Sequence, residues 1–566
     1  MTRTSTDMAW TSTNGIVLGD LVPAQLRRRW VAQGYCPDRD LYTLFSEHVR
    51  VHPQRTAVID AAGAIDYATL DTRVRRIAAA LAEAGLGPRD IVGIQLPNSW
   101  CAVAAELAVA AVGAVALPYP AGRGRQDSLS LLGRSRASAA IVSDAAGQVP
   151  LAANLASLRP ELPDLRTVFV FGAAPQGCEP LERWLADTGA ERRWSGAPID
   201  PEAPARILVS SGSEAEPKMV AYTHNAMAGG RGNYLGALHR HSGAARSAPE
   251  PMRSLVLVPL PSSYGSCGVV ILARHGGTLL LQSAFDPAAA LRMITEHQPT
   301  HVFGVPIMLR RITDQPRSSN EDSSGLRVLV SSSAALPAAT IEACQARFGV
   351  PVVNIYGSAD GVNCHTARGG CAPTAAGCAG RSDPAVADIR IVDDHGHPVP
   401  PGQAGEIWSL GPMTPLCYVN APQLDARYRA PGGWVRTGDR GVIGSDGCLR
   451  VVGRLKQIVI RGGYHISPAE VERQLAAHPA IADVACIAVP DPDLGERLCA
   501  CITQRPDTSP LTLTQLNAFL EGERGLERRK LPELLLTLPE LPLGPTGKVC
   551  RQTLTRLATA RPACSA

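Results

Sequence analysis

The stretch Val209-Ser-Ser-Gly-Ser-Glu-Ala-Glu-Pro-Lys-Met-Val220 decides how this chain is read. An apolar run (Ile207, Leu208, Val209) precedes it and a second (Met219 to Tyr222) closes it, so a turn between two strands is expected. Ser210, Ser211, Gly212 and Ser213 offer hydroxyls and closely approachable backbone amides, and Lys218 a cation, which together suit a polyphosphate. Glu214 and Glu216 put negative charge into the same loop and oppose that use. A solvated serine-rich turn has the same composition, so the stretch alone leaves both readings open.

The rest of the chain narrows the choice. Its 566 residues exceed what one core supports, and more than one domain is expected. With 45% hydrophobic and 19% charged residues it has the composition of a soluble globular protein, and a net charge of +4 gives no basis for a nucleic-acid or membrane partner. The longest apolar run, from Trp100 to Pro118, is broken by Glu106 and Gly113 and reads as a buried helix entering a buried strand. Met1 to Asp7 leads into no apolar core of signal-peptide length, so a cytoplasmic location is expected. Fifteen cysteines are an odd number for a disulfide framework. Cys364, Cys371 and Cys378 recur at seven-residue steps beside His365 without a short Cys-x-x-Cys pair, and read as free thiols on a loop rather than a zinc site.

From Asp66 to Asp144 helical and strand-like runs alternate: Leu70 to Ala84 has helical spacing, while Ile91 to Gln95 and Ala114 to Leu117 read as buried strands. A second such block spans Ser254 to Tyr356, with strands at 256–259, 301–304, 328–330 and 352–355. Alternation of this kind predicts parallel sheets flanked by helices. Between Ala387 and Val452 short strands and Gly/Pro/Asp turns point to a small β-barrel or sandwich. Beyond Ile458 strands and helices mix again, with helices at 468–477 and 513–521; loops are expected at 243–253, 315–325 and 367–383.

Five further segments fall in a telling order. Asn354-Ile-Tyr-Gly-Ser-Ala-Asp-Gly361 follows a strand; its aromatic, glycine and carboxylate suit a base, a close backbone approach and a Mg²⁺ ligand. Trp434-Val-Arg-Thr-Gly-Asp439 holds an acid that can accept two ribose hydroxyls. Gly453-Arg-Leu-Lys456 joins the short-strand region to the last part of the chain. Arg461-Gly-Gly-Tyr-His-Ile-Ser-Pro-Ala-Glu470 is a glycine turn opening a helix, and Pro542-Leu-Gly-Pro-Thr-Gly-Lys548 a Gly/Pro loop carrying one lysine. Singly, each also reads as an ordinary turn.

Together they resemble the adenylate-forming superfamily: acyl- and aryl-CoA synthetases, peptide-synthetase adenylation domains and luciferases. The resemblance runs from about Leu41 to Leu554 and rests on Leu96-Pro-Asn98, the 209–220 loop, Tyr356-Gly357, Thr437-Gly-Asp439, Gly453-Arg454 and Pro545-Thr-Gly-Lys548. Val31-Ala-Gln-Gly-Tyr35, Gly357-Ser-Ala-Asp-Gly-Val-Asn363 and Leu494-Gly-Glu-Arg497 look most like stand-alone aryl-AMP ligases and acyl-CoA synthetases. The 209–220 loop also resembles noncanonical acyl-CoA synthetases of natural-product biosynthesis.

The resemblance implies an α/β protein. A large N-terminal adenylate-binding domain (1–455) would hold two α/β subdomains and a small β-barrel, followed by a small mobile α+β C-terminal domain (456–566) with its hinge at Lys456. It implies ATP or acyl-AMP, Mg²⁺ and CoA as cofactors, and a small carboxylic acid as substrate. Lys548 matches the lysine bridging carboxylate and α-phosphate, Lys218 and the Ser211-Gly212-Ser213 segment the phosphate grip, and Asp360 the Mg²⁺-linked acid, here one methylene shorter than the usual Glu. Tyr356 and Gly357 match the adenine site, Asp439 the ribose acceptor and Arg454 its neighbour. Arg461, Gly462 and Gly463 would admit a pantetheine arm. Arg528-Arg-Lys530 is either a CoA-phosphate contact or a solvated charge run.

Ser262, Ser263 and Tyr264 match an acyl-pocket segment in which many members have His, and dihydroxybenzoate enzymes Asn, at the two serine positions. Ser332, Ser333 and Ala334 replace a glycine-rich pocket segment. These residues point away from dihydroxybenzoate and toward another apolar or aryl acid. In the phosphate loop Glu214 replaces Thr or Ser, and Ala215 and Met219 replace Gly, changes that weaken a β,γ-phosphate grip but spare the AMP half of the site. An AMP-forming acyl-CoA ligase is therefore expected. The alternative is a variant that only forms the thioester from acyl-AMP supplied by a partner ligase. A carrier-protein pantetheine acting in trans, or luciferase-like oxygen chemistry, are further alternatives.

Overall fold

The computed structural model describes residues 9–560 except 148, 211–216, 242–250, 335, 362, 367–377, 456–458, 462–463, 492–493, 507, 525 and 546. Tyr67–Glu83 is a helix because Leu70, Val74, Ile77 and Leu81 recur every three or four residues and are all fully buried. Asp66 starts it by accepting from the Thr69 amide at 2.8 Å. The run read as helix-into-strand is the helix Trp100–Ala111 followed by the strand Val115–Pro118. Among the described residues no helix is long and apolar enough to cross a membrane.

Ile91–Gln95 is buried throughout and lies between the parallel strands Val115–Pro118 and Ala139–Ser143. They belong to a seven-stranded sheet ordered Met219–Thr223, Pro204–Val209, Val115–Pro118, Ile91–Gln95, Ala139–Ser143, Thr167–Phe171, Glu179–Pro180. Its first two strands are the expected pair around the 210–218 turn, antiparallel with Val209 opposite Met219 and Leu208 opposite Val220. Met219 is a core residue, 1% exposed. The charge that breaks the 100–118 run is satisfied from this sheet: Glu106 is ion-paired with Arg206, whose Nη2 also donates to the Leu260 carbonyl at 2.9 Å. Burial pushes the Glu106 carboxyl up and the Arg206 guanidinium down, and each opposes the other's shift.

An eight-stranded sheet runs Asn363–His365, Val352–Gly357, Val328–Ser331, His301–Gly304, Arg253–Val256, Thr278–Leu281, Thr56–Asp60, Gly63–Asp66. Gly304 pairs with Ser331, and Ser331 with Asn354, in parallel register, which lines up the carboxyl ends of three strands on one edge. The strand expected at 256–259 ends at Val256, and the apolar run continues as a buried turn. The short-strand region is a five-stranded sheet ordered Cys378–Gly380, Leu449–Arg454, Val435–Ile443, Gly405–Leu410, Asp388–Val392. Cys364 and Cys378, expected on a loop, are buried strand residues; Cys371 lies outside the described residues.

Two compact units result: Met1–Pro373 with Gly380–Ile389 and Trp408–Thr437, and Thr374–Ala379 with Arg390–Ile407 and Gly438–Ala566. In the second, a mixed sheet runs Tyr464–Ile466, Val459–Arg461, Gly495–Gln504, Ile481–Asp491, with Leu534–Thr537 parallel to Gly495–Gln504. The helix Pro468–Leu475 buries Val471 and Leu475. The class is α/β with a large N-terminal and a small C-terminal domain, as expected.

Candidate active site

In the first unit, Ser210 closes the base of the serine-rich loop. Its amide donates to the Lys218 carbonyl at 2.9 Å, and its hydroxyl accepts from the Lys218 amide at 3.2 Å. Arg134 donates to the Pro217 carbonyl at 3.1 Å. Ser211, Gly212, Ser213, Glu214, Ala215 and Glu216 lie outside the described residues. Lys218 Nζ sits 3.5 Å from the ring centroid of Tyr428 and 5.6 Å from that of Tyr418. The Tyr418 hydroxyl donates to Asp360 Oδ1 at 2.8 Å. Burial, reinforced by the Asp360 charge, pushes the Tyr418 phenol well up, so it remains a donor across physiological pH.

The segment bearing Tyr356, Gly357 and Asp360 leaves the strand Val352–Gly357 at the aligned edge. Tyr356 and Asp360 are half-buried. Tyr222 braces the turn from beneath, donating to the Ala359 carbonyl at 2.5 Å. Gly361 ends it at φ +95°, and a Cβ there would lie 2.6 Å from Pro415 Cδ and 2.9 Å from the Met413 carbonyl oxygen. Among the described residues no three His, Cys, Asp or Glu side chains are grouped to hold a metal. A single carboxylate with Oδ2 unshared with Tyr418 suits a Mg²⁺ carried in on phosphates, not a preformed protein cage.

The residues expected to line an acyl pocket lie at the same edge. Asn98 fixes the approach by donating to the Val258 carbonyl at 3.0 Å and accepting from the Leu260 amide at 2.8 Å. The Ser262 hydroxyl is spent on the Pro259 carbonyl (2.7 Å), Ser263 reaches the Ser358 carbonyl at 3.4 Å, and Tyr264 donates to the Val330 carbonyl at 2.9 Å. Ser332, buried, donates to the Ile355 carbonyl at 3.1 Å. Ala334 is exposed. Ser333 has φ +76°, the left-handed region that favours glycine. Ser333→Gly is therefore expected to stabilise the protein by about 1 kcal/mol in denaturant titration. A loss of stability would show that the hydroxymethyl group makes contacts that outweigh the strain.

In the second unit Asp439 and Arg454 are paired residues of neighbouring antiparallel strands. Arg454 Nε donates to Asp439 Oδ1 at 2.8 Å; Asp439 is buried, while half of the Arg454 side chain is exposed. Gly438, at φ +71°, precedes the acid within the strand Val435–Ile443, and its amide donates to Glu406 Oε1 at 3.2 Å. Lys548 is carried on a tight turn in which the Gly544 amide donates to the Lys548 carbonyl at 2.7 Å. The residue as a whole is exposed, but protein packed around its ammonium lowers its pKa to about 8; Arg454 adds to the shift and Asp439 opposes it. Arg461 is ion-paired with Glu533 at 2.6 Å, and Lys530 with Glu470 at 2.8 Å, so both cations have protein partners. Lys456, Gly462 and Gly463 lie outside the described residues.

The structure thus brings Lys548, Asp439 and Arg454 together in one unit, and Asp360, Tyr356 and the segments around Ser263 and Ser332 together in the other. Sequence reasoning missed Tyr222 and Tyr418, which brace the 356–361 segment, and Tyr428, over whose ring Lys218 lies. Tyr222 was visible only as part of an apolar strand, and Tyr418 as a tyrosine 58 residues from the acid it binds.

This chain belongs to the AMP-binding enzyme family, whose pattern matches residues 45–419, with the AMP-binding enzyme C-terminal domain matching 470–548. It is an adenylate-forming ligase. It is 30% identical over 552 residues to a salicyl-AMP ligase / salicyl-S-ArCP synthetase of Mycobacterium tuberculosis, covering 95% of this chain and 94% of that one. It is likewise 30% identical over 543 residues to a salicylyl-CoA synthase / salicylate adenylyltransferase of a Streptomyces species, covering 94% and 96%. Among solved structures it resembles the amide bond synthetase McbA of Marinactinospora thermotolerans, with a TM-score of 0.76, 27% identity, and 91% and 99% of the two chains covered.

Proposed function

We propose that this chain is an acid–thiol ligase that activates an apolar or aryl carboxylic acid as its acyl-AMP and passes the acyl group to the thiol of CoA. The observation that carries this reading is the grouping of Lys548, Asp439 and Arg454, with the lysine pKa at about 8. In the first step a carboxylate oxygen bonds to the α-phosphorus of ATP and pyrophosphate leaves. Two anions must meet, so a cation between them lowers the barrier. Lys548 supplies it, protonated over most of the neutral range. Asp439 accepts the ribose hydroxyls and keeps Arg454 beside them. Tyr356 flanks the adenine. Asp360 is the residue that would face a Mg²⁺ bound with ATP, which supplies neutralisation of phosphate charge. In the second step the CoA sulfur bonds to the acyl carbonyl and AMP leaves. Lys456 would be the hinge that exchanges the Lys548 turn for the Arg461–Tyr464 turn between steps. The salicylate relatives, one a CoA synthase and one an ArCP synthetase, support a thiol acceptor and an aryl acid.

A second reading is favoured by Glu214, Ala215 and Met219 in the loop and by the position of Lys218 on two aromatic rings. In it the chain forms only the thioester, from acyl-AMP made by a partner ligase. One experiment separates the two: a panel of aryl and polycyclic acids with ATP and CoA, beside chemically prepared acyl-AMPs with CoA. The leading reading expects pyrophosphate and CoA thioester in the first arm. Thioester in the second arm alone would establish the half-reaction, and product in neither would refute both.

A further inference from the structure

The lysine of the serine-rich loop is held in a way that a phosphate ligand does not need. Lys218 Nζ lies over Tyr428 at 3.5 Å and faces Tyr418 at 5.6 Å, and the Tyr418 hydroxyl is committed to Asp360 Oδ1 at 2.8 Å. Tyr418 and Tyr428 are themselves in ring contact, 5.8 Å between centroids. A cation held on a ring face at this distance is attracted by the ring's electron density, and the attraction is stronger where water is excluded. Tyr418 and Tyr428 are 3% and 7% exposed, so the half-buried Lys218 lies against two buried rings. The Tyr418 amide is fixed in turn by Asp425 Oδ1 at 3.0 Å. The opposite side of the same turn is held by Tyr222, which reaches the Ala359 carbonyl and carries the Arg231 guanidinium over its ring at 4.5 Å.

We infer that Lys218 is a positioning residue for the 356–361 nucleotide segment. It acts through the Tyr418–Tyr428 pair on Asp360, and its main role is not to bind the β- and γ-phosphates. The inference rests on the adenylate-site reading above and adds to it a coupling between Lys218 and the AMP half of the site. The coupling gives a lysine a role in a loop that also carries Glu214 and Glu216.

The two roles separate with ligands that need no knowledge of the acid. AMP lacks the β- and γ-phosphates; pyrophosphate is an analogue of them alone. Calorimetric titration of the full chain with each, on the wild type, Lys218→Met, Lys218→Arg, Tyr418→Phe and the Lys218→Met/Tyr418→Phe double variant, tests the assignment. Lys218→Met is expected to weaken AMP by about tenfold, with Tyr418→Phe doing the same and the double variant no worse than either single change. Lys218→Arg, which keeps a cation on the rings, is expected to restore AMP affinity, and pyrophosphate affinity should stay within about twofold throughout. Wild-type AMP affinity in Lys218→Met with pyrophosphate binding lost would overturn the inference and make Lys218 a phosphate ligand. Failure of the wild type itself to bind AMP would overturn the adenylate reading and the inference with it. Circular dichroism of each variant separates loss of fold from loss of coupling, and Lys218→Arg guards against a substitution that simply misfolds.

Discussion

Replacing Lys548 with alanine is expected to lower ATP- and acid-dependent pyrophosphate release by about 10²- to 10³-fold, the loss that follows removal of one preorganised charge stabiliser. Thioester formation from preformed acyl-AMP should fall by less than about threefold, because the charge collision that the lysine relieves belongs to the first step only. A pH profile gives an independent check. Burial, aided by Arg454, lowers the Lys548 pKa to about 8 against the pull of Asp439. The ammonium is the active form, so the first step should be at full rate below that pH and decline as pH rises through about 8. The acyl-AMP half-reaction should show no break there. Lys548→Arg, charged at every accessible pH, should move the decline upward whatever it does to the maximum. A first step that instead speeds up through pH 8 would mean that the neutral amine acts as a base.

The second large effect is expected at Asp439. It is 4% exposed and its carboxylate is bonded to Arg454, whose own side chain is half exposed. Asp439→Ala is expected to weaken AMP and ATP by about two orders of magnitude, the cost of deleting a buried charged acceptor from a binding site. Both half-reactions should suffer, in contrast to Lys548→Ala. Stability should change by no more than about 1 kcal/mol, since Arg454 can turn to water when its partner is lost. Nucleotide titration and denaturant unfolding of the same variant measure the two quantities. A variant that binds AMP normally would remove Asp439 from the site.

These contrasts follow from how much of the molecule could be read in one dimension. Ile91–Gln95 was legible to the residue because a strand buried on both faces is a continuous apolar run bounded by polar turns. The Val209/Met219 hairpin was legible for the same reason. Continuing the strand past Val256 was an error with a physical cause: Leu257, Val258 and Leu260 are apolar because the turn itself is buried, and Asn98 takes over the backbone groups that a strand partner would have bonded. Cys364 and Cys378 were placed on a loop by their Gly/Ala/Pro-rich surroundings, yet both are buried strand residues. Asp439 and Arg454 were each marked by a turn motif, and the strand pairing that sets them opposite one another is what the motif could not state. The loop at 209–220 was legible in composition but not in the direction of its lysine. That direction is set by Tyr418 and Tyr428, about 200 residues further along the chain, and no local pattern encodes such a contact.

The most direct test is to supply the acid with ¹⁸O in its carboxyl group, together with ATP and CoA, and to weigh the nucleotide product. If a carboxylate oxygen attacks the α-phosphorus and the thiol then displaces AMP from the acyl carbon, one ¹⁸O atom ends in AMP and the thioester keeps the other. Label appearing in inorganic phosphate, or AMP released without label, would contradict an acyl adenylate on the path.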